Sequence, residues 1–355
     1  MKKSLLALAA LTAFAGAASA QSSVTLFGIV DAAYGHVSAN GNSVTGISNS
    51  GINSSRLGFR GVEDLGGGLN ANFWLEGQLN NDVGQGSGQT TAFDFQRRAT
   101  VGVGGGFGDI KFGRDYSPSF WNTTVYDPFG TNGVGQSLAI NMISRAAAGN
   151  AVNGVRANNS LSYFTPGTLG GFNAQVMVAF GENGAAATTV AAPNAKKANN
   201  YFGFRVGYAA GPVSAHFAYA KTTGAATATD TKYNNIGASY DAGVIKPIVF
   251  WGTEKAGSGA KVTGLLIGAT IPVGSNEIRV ATSRYDIANS ANDFSKFAVG
   301  YVHNLSKRTA LYTTYARVSN KGAQTAAVAN NGLSAGAAAA GGGATGYEFG
   351  VRHAF

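Results

Sequence analysis

Residues 346–355 read GYEFGVRHAF, a strict alternation in which Tyr347, Phe349, Val351, His353 and Phe355 share one face and Glu348, Gly350, Arg352 and Ala354 share the other. Successive side chains of a β-strand point to opposite faces, so this stretch is a strand with one apolar and one polar side. Alternation alone does not say which side meets water. A soluble sandwich buries its apolar face, whereas a membrane barrel turns that same face to lipid. The ending on Phe355 favours the barrel. A closed barrel has no free edge, so a last strand can pair with the first and stop on an aromatic without a polar tail.

The rest of the chain supplies the strands that closure requires. Period-2 segments fall at residues 24–37, 54–61, 69–79, 95–103, 107–115, 160–165, 172–181, 201–209, 213–221, 233–240, 245–253, 262–271, 277–286, 294–303, 309–318 and 346–355, sixteen in all. Most run to about ten residues, the length a tilted strand needs to cross a bilayer. Their connections alternate in length. EDLGGG, GGGFGD, PGTLGG, AAGP, DAG, PVGSN and NLSKR are short turns, and longer Gly/Asn/Ser/Ala-rich loops at 38–53, 80–94, 116–159, 182–200, 222–232 and 319–345 fall between them. An even strand count with short turns at one end and long loops at the other is the pattern of an outer-membrane barrel. The loop between the fifth and sixth strands is the longest, at about forty residues, and a loop of that length is usually functional.

The opposite end of the chain agrees. Residues 1–20, MKKSLLALAALTAFAGAASA, carry Lys2 and Lys3, an apolar run and an Ala18-Ser19-Ala20 cleavage site, which together read as a secretory signal peptide. The expected mature domain is residues 21–355, with a net charge of +7 once the two leading lysines are gone. It has no cysteine, so no disulfide holds it. Basic runs are absent, and nucleic acid is not an expected partner. No later apolar stretch is long enough for a membrane helix. Any membrane crossing must use strands.

With these features in place, the segments SSVTLFGIVDAAY, SSRLGFRGVEDLGGGLNANFWLEGQ, FGDIKFGRD, RANNSLSYFTP, GYVHNLSKRTALY and GVRHAF resemble the general porins of Gram-negative outer membranes, and among them the anion-preferring betaproteobacterial porins. The resemblance implies a sixteen-stranded antiparallel transmembrane β-barrel, assembled as a homotrimer, with the third long loop folded inward to narrow a water-filled channel for ions and small hydrophilic solutes. It also implies outer-membrane lipid and lipopolysaccharide around the wall, no cofactor, and an assembly signal at Phe355.

The pleat indicates which charges face the lumen. In SSRLGFRG, Leu57 and Phe59 take the lipid face, so Arg56 and Arg60 point inward. In FQRRATVGV, Val101 and Val103 point out, which puts Arg98 inside and Arg97 outside unless a bulge intervenes. Lys111 is inward by the same test against Ile110 and Phe112. Arg114 lies where strand gives way to loop, and Arg156 where the loop returns. Porins of this kind carry basic residues on the wall at the constriction, and the matching positions are Arg56, Arg98 or its neighbour Arg97, Arg114 and Arg156. Cation-preferring relatives carry an acidic pair on the inward loop, but here VYDPFGTNGVGQ retains Asp127 alone, the only acid between Tyr116 and Gly181. A basic wall facing a nearly neutral loop favours anions. Asp115 and Asp127 are expected to pair with arginines rather than hold calcium, which needs about six or more oxygens. Aromatic residues near strand ends, such as Phe297, Tyr301 and Tyr347, fit interfacial girdles.

Catalysis has little support. The four histidines, His36, His216, His303 and His353, are scattered, and no metal-ligand spacing occurs. GVGGGFG lacks the lysine and following helix of a phosphate loop and reads as a turn. Two other readings stay open: a substrate-specific anion channel, and an adhesin or receptor barrel acting through its loops.

Overall fold

The computed structural model describes residues 23–86, 93–137, 154–182, 194–226 and 229–355. The expected signal peptide lies outside the described residues. One closed antiparallel sheet dominates, built from sixteen long strands. The first eight are β1 (Ser23–Ala39), β2 (Arg56–Gly66), β3 (Leu69–Gln78), β4 (Arg98–Gly105), β5 (Gly108–Tyr116), β6 (Arg156–Phe164), β7 (Phe172–Ala179) and β8 (Tyr201–Ala210). The second eight are β9 (Val213–Thr222), β10 (Thr231–Tyr240), β11 (Lys246–Ala256), β12 (Lys261–Val273), β13 (Asn276–Ile287), β14 (Phe294–Asn304), β15 (Thr309–Asn320) and β16 (Gly343–Ala354). Each sequence segment has its strand, and each strand pairs with the next in order.

Closure runs through β1 and β16, from Ile29↔Ala354 to Ala39↔Ala344. Beyond the last ladder pair, Gly28 and Phe355 exchange two backbone hydrogen bonds of 3.0 Å, so the final residue is part of the seam. Gly28 is glycine for a steric reason, because a Cβ there would collide with the Phe355 ring. β1 has two partners on its other side. Its first part pairs with β2, and its second part forms a hairpin with the strand Asn42–Asn49 through Asn40-Gly41. Both turn residues have positive φ, the signature of a tight two-residue hairpin.

The ambiguity of the alternating face is resolved by exposure. Val101 is 60% exposed, Ile267 55% and Phe349 58%, whereas Glu348, between Tyr347 and Phe349 on the polar face, is 1% exposed. The apolar side is the outside. A soluble sandwich would have it the other way round. Short turns gather at one end and long loops at the other, although residues 257–260 and 288–293 on the loop end are as short as the turns.

The interior is filled by loops instead of by a conventional core. Tyr126, Phe129 and Val134 of the third loop pack with Ile248, Phe250, Leu266 and Val318 of the wall. Several inward wall positions under this loop are glycine because the loop comes too close for a side chain. A Cβ on Gly237 would run into the Tyr126 ring, and one on Gly268 would lie 2.7 Å from Pro128. Within the loop a short helix, α1 (Pro118–Val125), is capped by the Ser117 hydroxyl, which accepts from Phe120 N at 3.3 Å, with Pro118 at its start. The helix packs on β8, β9 and β10.

Candidate functional site

The third loop crosses the lumen because named wall residues hold it there. Asn122 of α1 donates to His216 O at 3.0 Å and to Asn235 Oδ1 at 3.1 Å, and Arg205 Nε donates to Asn122 Oδ1 at 2.5 Å. Tyr126 Oη lies 2.6 Å from His216 Nδ1 and 2.8 Å from Ser214 Oγ. Burial pushes the Tyr126 phenol above its ordinary pKa. Farther along, Glu348 accepts from Val134 N at 3.3 Å, and Lys296 Nζ donates to Gln136 O at 2.5 Å. Glu348 also accepts from Asn330 at 2.6 Å, which ties the last long loop to the same point. The first loop is fixed by Asp31, whose carboxylate takes the amides of Gly51, Ile52 and Asn53 at 2.8–3.2 Å.

Between the loop and the wall of β2–β6 lies a cavity of about 590 Å³. Arg56, Arg97, Arg98 and Arg156 line its wall side, and Thr124, Thr131, Asn132 and Gln136 line its loop side. The arginines are held as a set. Glu76 Oε1 meets Arg97 Nε at 2.7 Å and Arg56 Nη1 at 3.3 Å, while its Oε2 accepts from Trp74 Nε1 at 3.0 Å. Tyr116 Oη accepts from Arg97 at 2.7 Å and from Arg156 at 2.9 Å. Arg156 also stacks over the Tyr116 ring at 4.5 Å and donates to Arg97 O at 2.8 Å. Arg98 pairs with Asp115 at 2.8 Å and lies over Trp74 at 4.4 Å. Among the described residues, two carboxylates, Glu76 and Asp115, thus meet three of the four guanidiniums, and Arg156 bonds to Tyr116 and to the Arg97 carbonyl. The group keeps a positive excess, facing hydroxyls and amides across the cavity.

The structure brings together Arg56, Arg97, Arg98 and Arg156, with Asp115 joined through Arg98. Arg97 does not follow the expected outward parity. The pleat begins at Arg98, and Arg97 sits in the bend before it, free to turn inward onto Glu76. Arg97 is the deeper of the two neighbours, with its side chain 6% exposed against 15% for Arg98. Arg114 is apart from the cavity. It shares the parity of Ile110 and Phe112, next to a register shift between Gly113 and Asp115, and donates to Gln96 O and Asn158 Oδ1. Asp127 pairs with no arginine among the described residues. It is buried inside the loop, accepting from Phe129 N, Thr131 N and both the amide and hydroxyl of Ser137 at 2.8–3.2 Å. Arg60 lies on the lumen face beside Phe27 and Trp74, and Lys111 beside Phe164.

Glu76 is not among the residues singled out from the sequence, although its signal is present there. In FWLEGQ, Trp74, Glu76 and Gln78 share the face opposite Leu75, so an acid points at the inward arginines. No group of His, Cys, Asp and Glu able to hold a metal occurs among the described residues.

Known proteins with this architecture agree on what it is. The profile of the Gram-negative porins matches residues 7–323. Outer membrane porin protein 32 of Delftia acidovorans is 44% identical over 364 residues, covering 100% of both chains. An outer membrane porin protein of Bordetella pertussis is 30% identical, covering 88% of this chain and 93% of that one. Among solved structures, the anion-selective porin from Comamonas acidovorans superposes with a TM-score of 0.84 at 40% identity, over 94% of this chain and 100% of that one. OmpT of Vibrio cholerae shares the fold, with a TM-score of 0.64 at 14% identity, over 94% of this chain and 98% of that one. A closed sixteen-stranded barrel with an apolar outside, a polar lumen and these relatives leaves one conclusion: the chain belongs to the Gram-negative porin family, and it is an outer-membrane channel for passive diffusion.

Proposed function

We propose that this porin prefers anions, and that Arg56, Arg97, Arg98 and Arg156 set the preference at the narrowing formed with the third loop. The observation that carries the reading is the asymmetry of the cavity: guanidiniums on one side, and on the other Thr124, Thr131, Asn132 and Gln136 without a carboxylate. An anion entering this space exchanges hydration for charge-assisted hydrogen bonds, whereas a cation meets unbalanced positive charge. At an effective dielectric near ~20, unit charges a few ångströms apart interact by several kcal/mol. The relative from Comamonas acidovorans, named as anion-selective, supports the same direction. Reversal potentials in a KCl gradient test it, with chloride expected to be favoured.

The unit of function is a homotrimer of mature chains that begin at Gln21, and the protein acts without catalysis or cofactor. Unheated protein migrating as a trimer in SDS, and as a monomer after boiling, is the expected behaviour. A single monomeric band under both conditions would count against the assembly.

A further inference from the structure

The lumen wall on the short-turn side of the arginine set carries aromatic rings that passage of inorganic ions does not use. Phe27, Trp74 and Phe164 share the inward parity of Asp31, Glu76 and Ser162. That face is polar in barrels of this kind, and aromatic surface left against water is unfavourable. Each ring has a cation beside it. Every cation–π contact found among the described residues lies on the β1–β6 wall: Arg60 over Phe27 at 5.4 Å and over Trp74 at 5.3 Å, Arg98 over Trp74 at 4.4 Å, Lys111 over Phe164 at 4.9 Å, and Arg156 over Tyr116 at 4.5 Å.

Arg60 differs from the four arginines of the cavity. It is exposed, and among the described residues its side chain makes no hydrogen bond and no ion pair. Register builds its surroundings. Phe27, Gly58, Glu76 and Arg98 form one cross-strand row, and Arg60, Trp74 and Thr100 form the next row toward the turns. Gly58 leaves the room that the Phe27 ring occupies, since a Cβ there would stand 2.5 Å from that ring. Trp74 is fixed by its Nε1, which donates to Glu76 at 3.0 Å, and the two rings meet edge to face with centroids 5.0 Å apart. Glu76 itself is already engaged by Arg56 and Arg97. Two positioned rings therefore flank a guanidinium whose donors are unengaged.

We infer that Phe27, Arg60 and Trp74 form a subsite for aryl carboxylates next to the cavity, with the carboxylate on the Arg60 fork and the ring of the solute against Phe27 and Trp74. A guanidinium takes a carboxylate through two parallel hydrogen bonds, and aromatic rings prefer the edge or offset face of another ring. A small inorganic anion would use Arg60 alone and meet the negative faces of the rings. A saturated carboxylate would use the fork and gain no aromatic pairing. An aryl carboxylate uses both parts. The inference deepens the anion preference proposed above and rests on it.

The test compares benzoate with cyclohexanecarboxylate, two acids of equal charge and ring size, as blockers of the KCl current through the full protein in planar bilayers at neutral pH. In the wild type, half-block should need roughly fivefold to tenfold less benzoate than cyclohexanecarboxylate. Phe27→Leu keeps apolar bulk without the ring, and the ratio should fall to about twofold or less. Arg60→Gln removes the fork and should raise the half-blocking concentration of both acids by about tenfold or more. Phe27→Ile takes the place of Phe27→Leu if that variant does not insert. The reversal potential on the same membranes reads the anion preference separately. A wild type that prefers potassium overturns that preference and this inference with it. A wild type that prefers chloride, yet is blocked by neither acid or by both at equal concentrations, overturns the subsite alone. An unchanged ratio in Phe27→Leu, or an unchanged benzoate block in Arg60→Gln, overturns the subsite as well.

Discussion

Two walls of the same lumen use buried charge in opposite ways. On the β1 and β14–β16 side, Asp31, Lys296 and Glu348 are almost completely buried, and their partners are mostly amides and carbonyls of the loops. On the β2–β6 side, Arg56, Arg97, Arg98 and Arg156 outnumber their acids and keep faces toward the cavity. The first arrangement holds a loop in place. The second leaves charge available to whatever passes. A buried charge whose hydrogen bonds are all made within the protein has no direct bond to offer a passing ion, whereas an incompletely neutralised set lining a narrow passage can meet that ion directly. On the proposed reading selectivity depends on both walls, because the arginines need the loop opposite them to make the passage narrow.

The largest effect on this comparison should come from removing the loop's own scaffold. Asp127→Ala deletes four accepted hydrogen bonds, and bonds to a charged acceptor are worth about 1.5–3 kcal/mol each. We expect the turn at residues 127–137 to lose its shape, with higher single-channel conductance and weaker ion selectivity. Unchanged conductance would mean that the loop does not define the narrowing. Next in size is Gly237→Leu, which places a side chain where Tyr126 stands. Overpacking of this kind costs about 1–3 kcal/mol, and the expected readout is lower thermal stability together with altered conductance.

Deleting Phe355 probes the seam instead of the lumen. It removes two backbone hydrogen bonds to Gly28, worth about 0.5–1.5 kcal/mol each, and the ring that covers that residue. Export should continue while the yield in the outer membrane falls, as read by membrane fractionation. A normal membrane yield would remove any role of Phe355 in assembly. The smallest effect is expected for Lys196→Glu with Lys197→Glu. Both lysines lie in a one-turn 3₁₀ helix within the fourth loop and not among the residues lining the cavity, so reversal potentials should scarcely move.

Much of this architecture is legible in the chain because the β period is two and the turns are punctuated. Alternation in GYEFGVRHAF and its fifteen counterparts gives the strands, and the inward parity of Arg56 and Arg98 follows from their apolar neighbours. Parity stops where pleating stops. Arg97 lies one residue before β4, and Arg114 lies next to a bulge, so neither could be placed by counting. The third loop hides its structure for another reason. Its shape comes from contacts far away in sequence, such as Val134 with Glu348, and no local pattern encodes those. Two local signals were available nonetheless: Ser117-Pro118 as a helix start, and Asp127 followed by turn residues as a backbone organiser.

The arginine wall, and not net charge, is what we propose selects the ion. The measurement that tests it most directly is the zero-current potential across a planar bilayer in a KCl gradient, for the wild type and for Arg56→Glu with Arg98→Glu. Chloride preference is expected in the wild type, diminishing as salt screens the cluster, and a shift toward potassium is expected in the double variant. A wild-type channel that prefers potassium, or a double variant that keeps the full chloride preference, would contradict it.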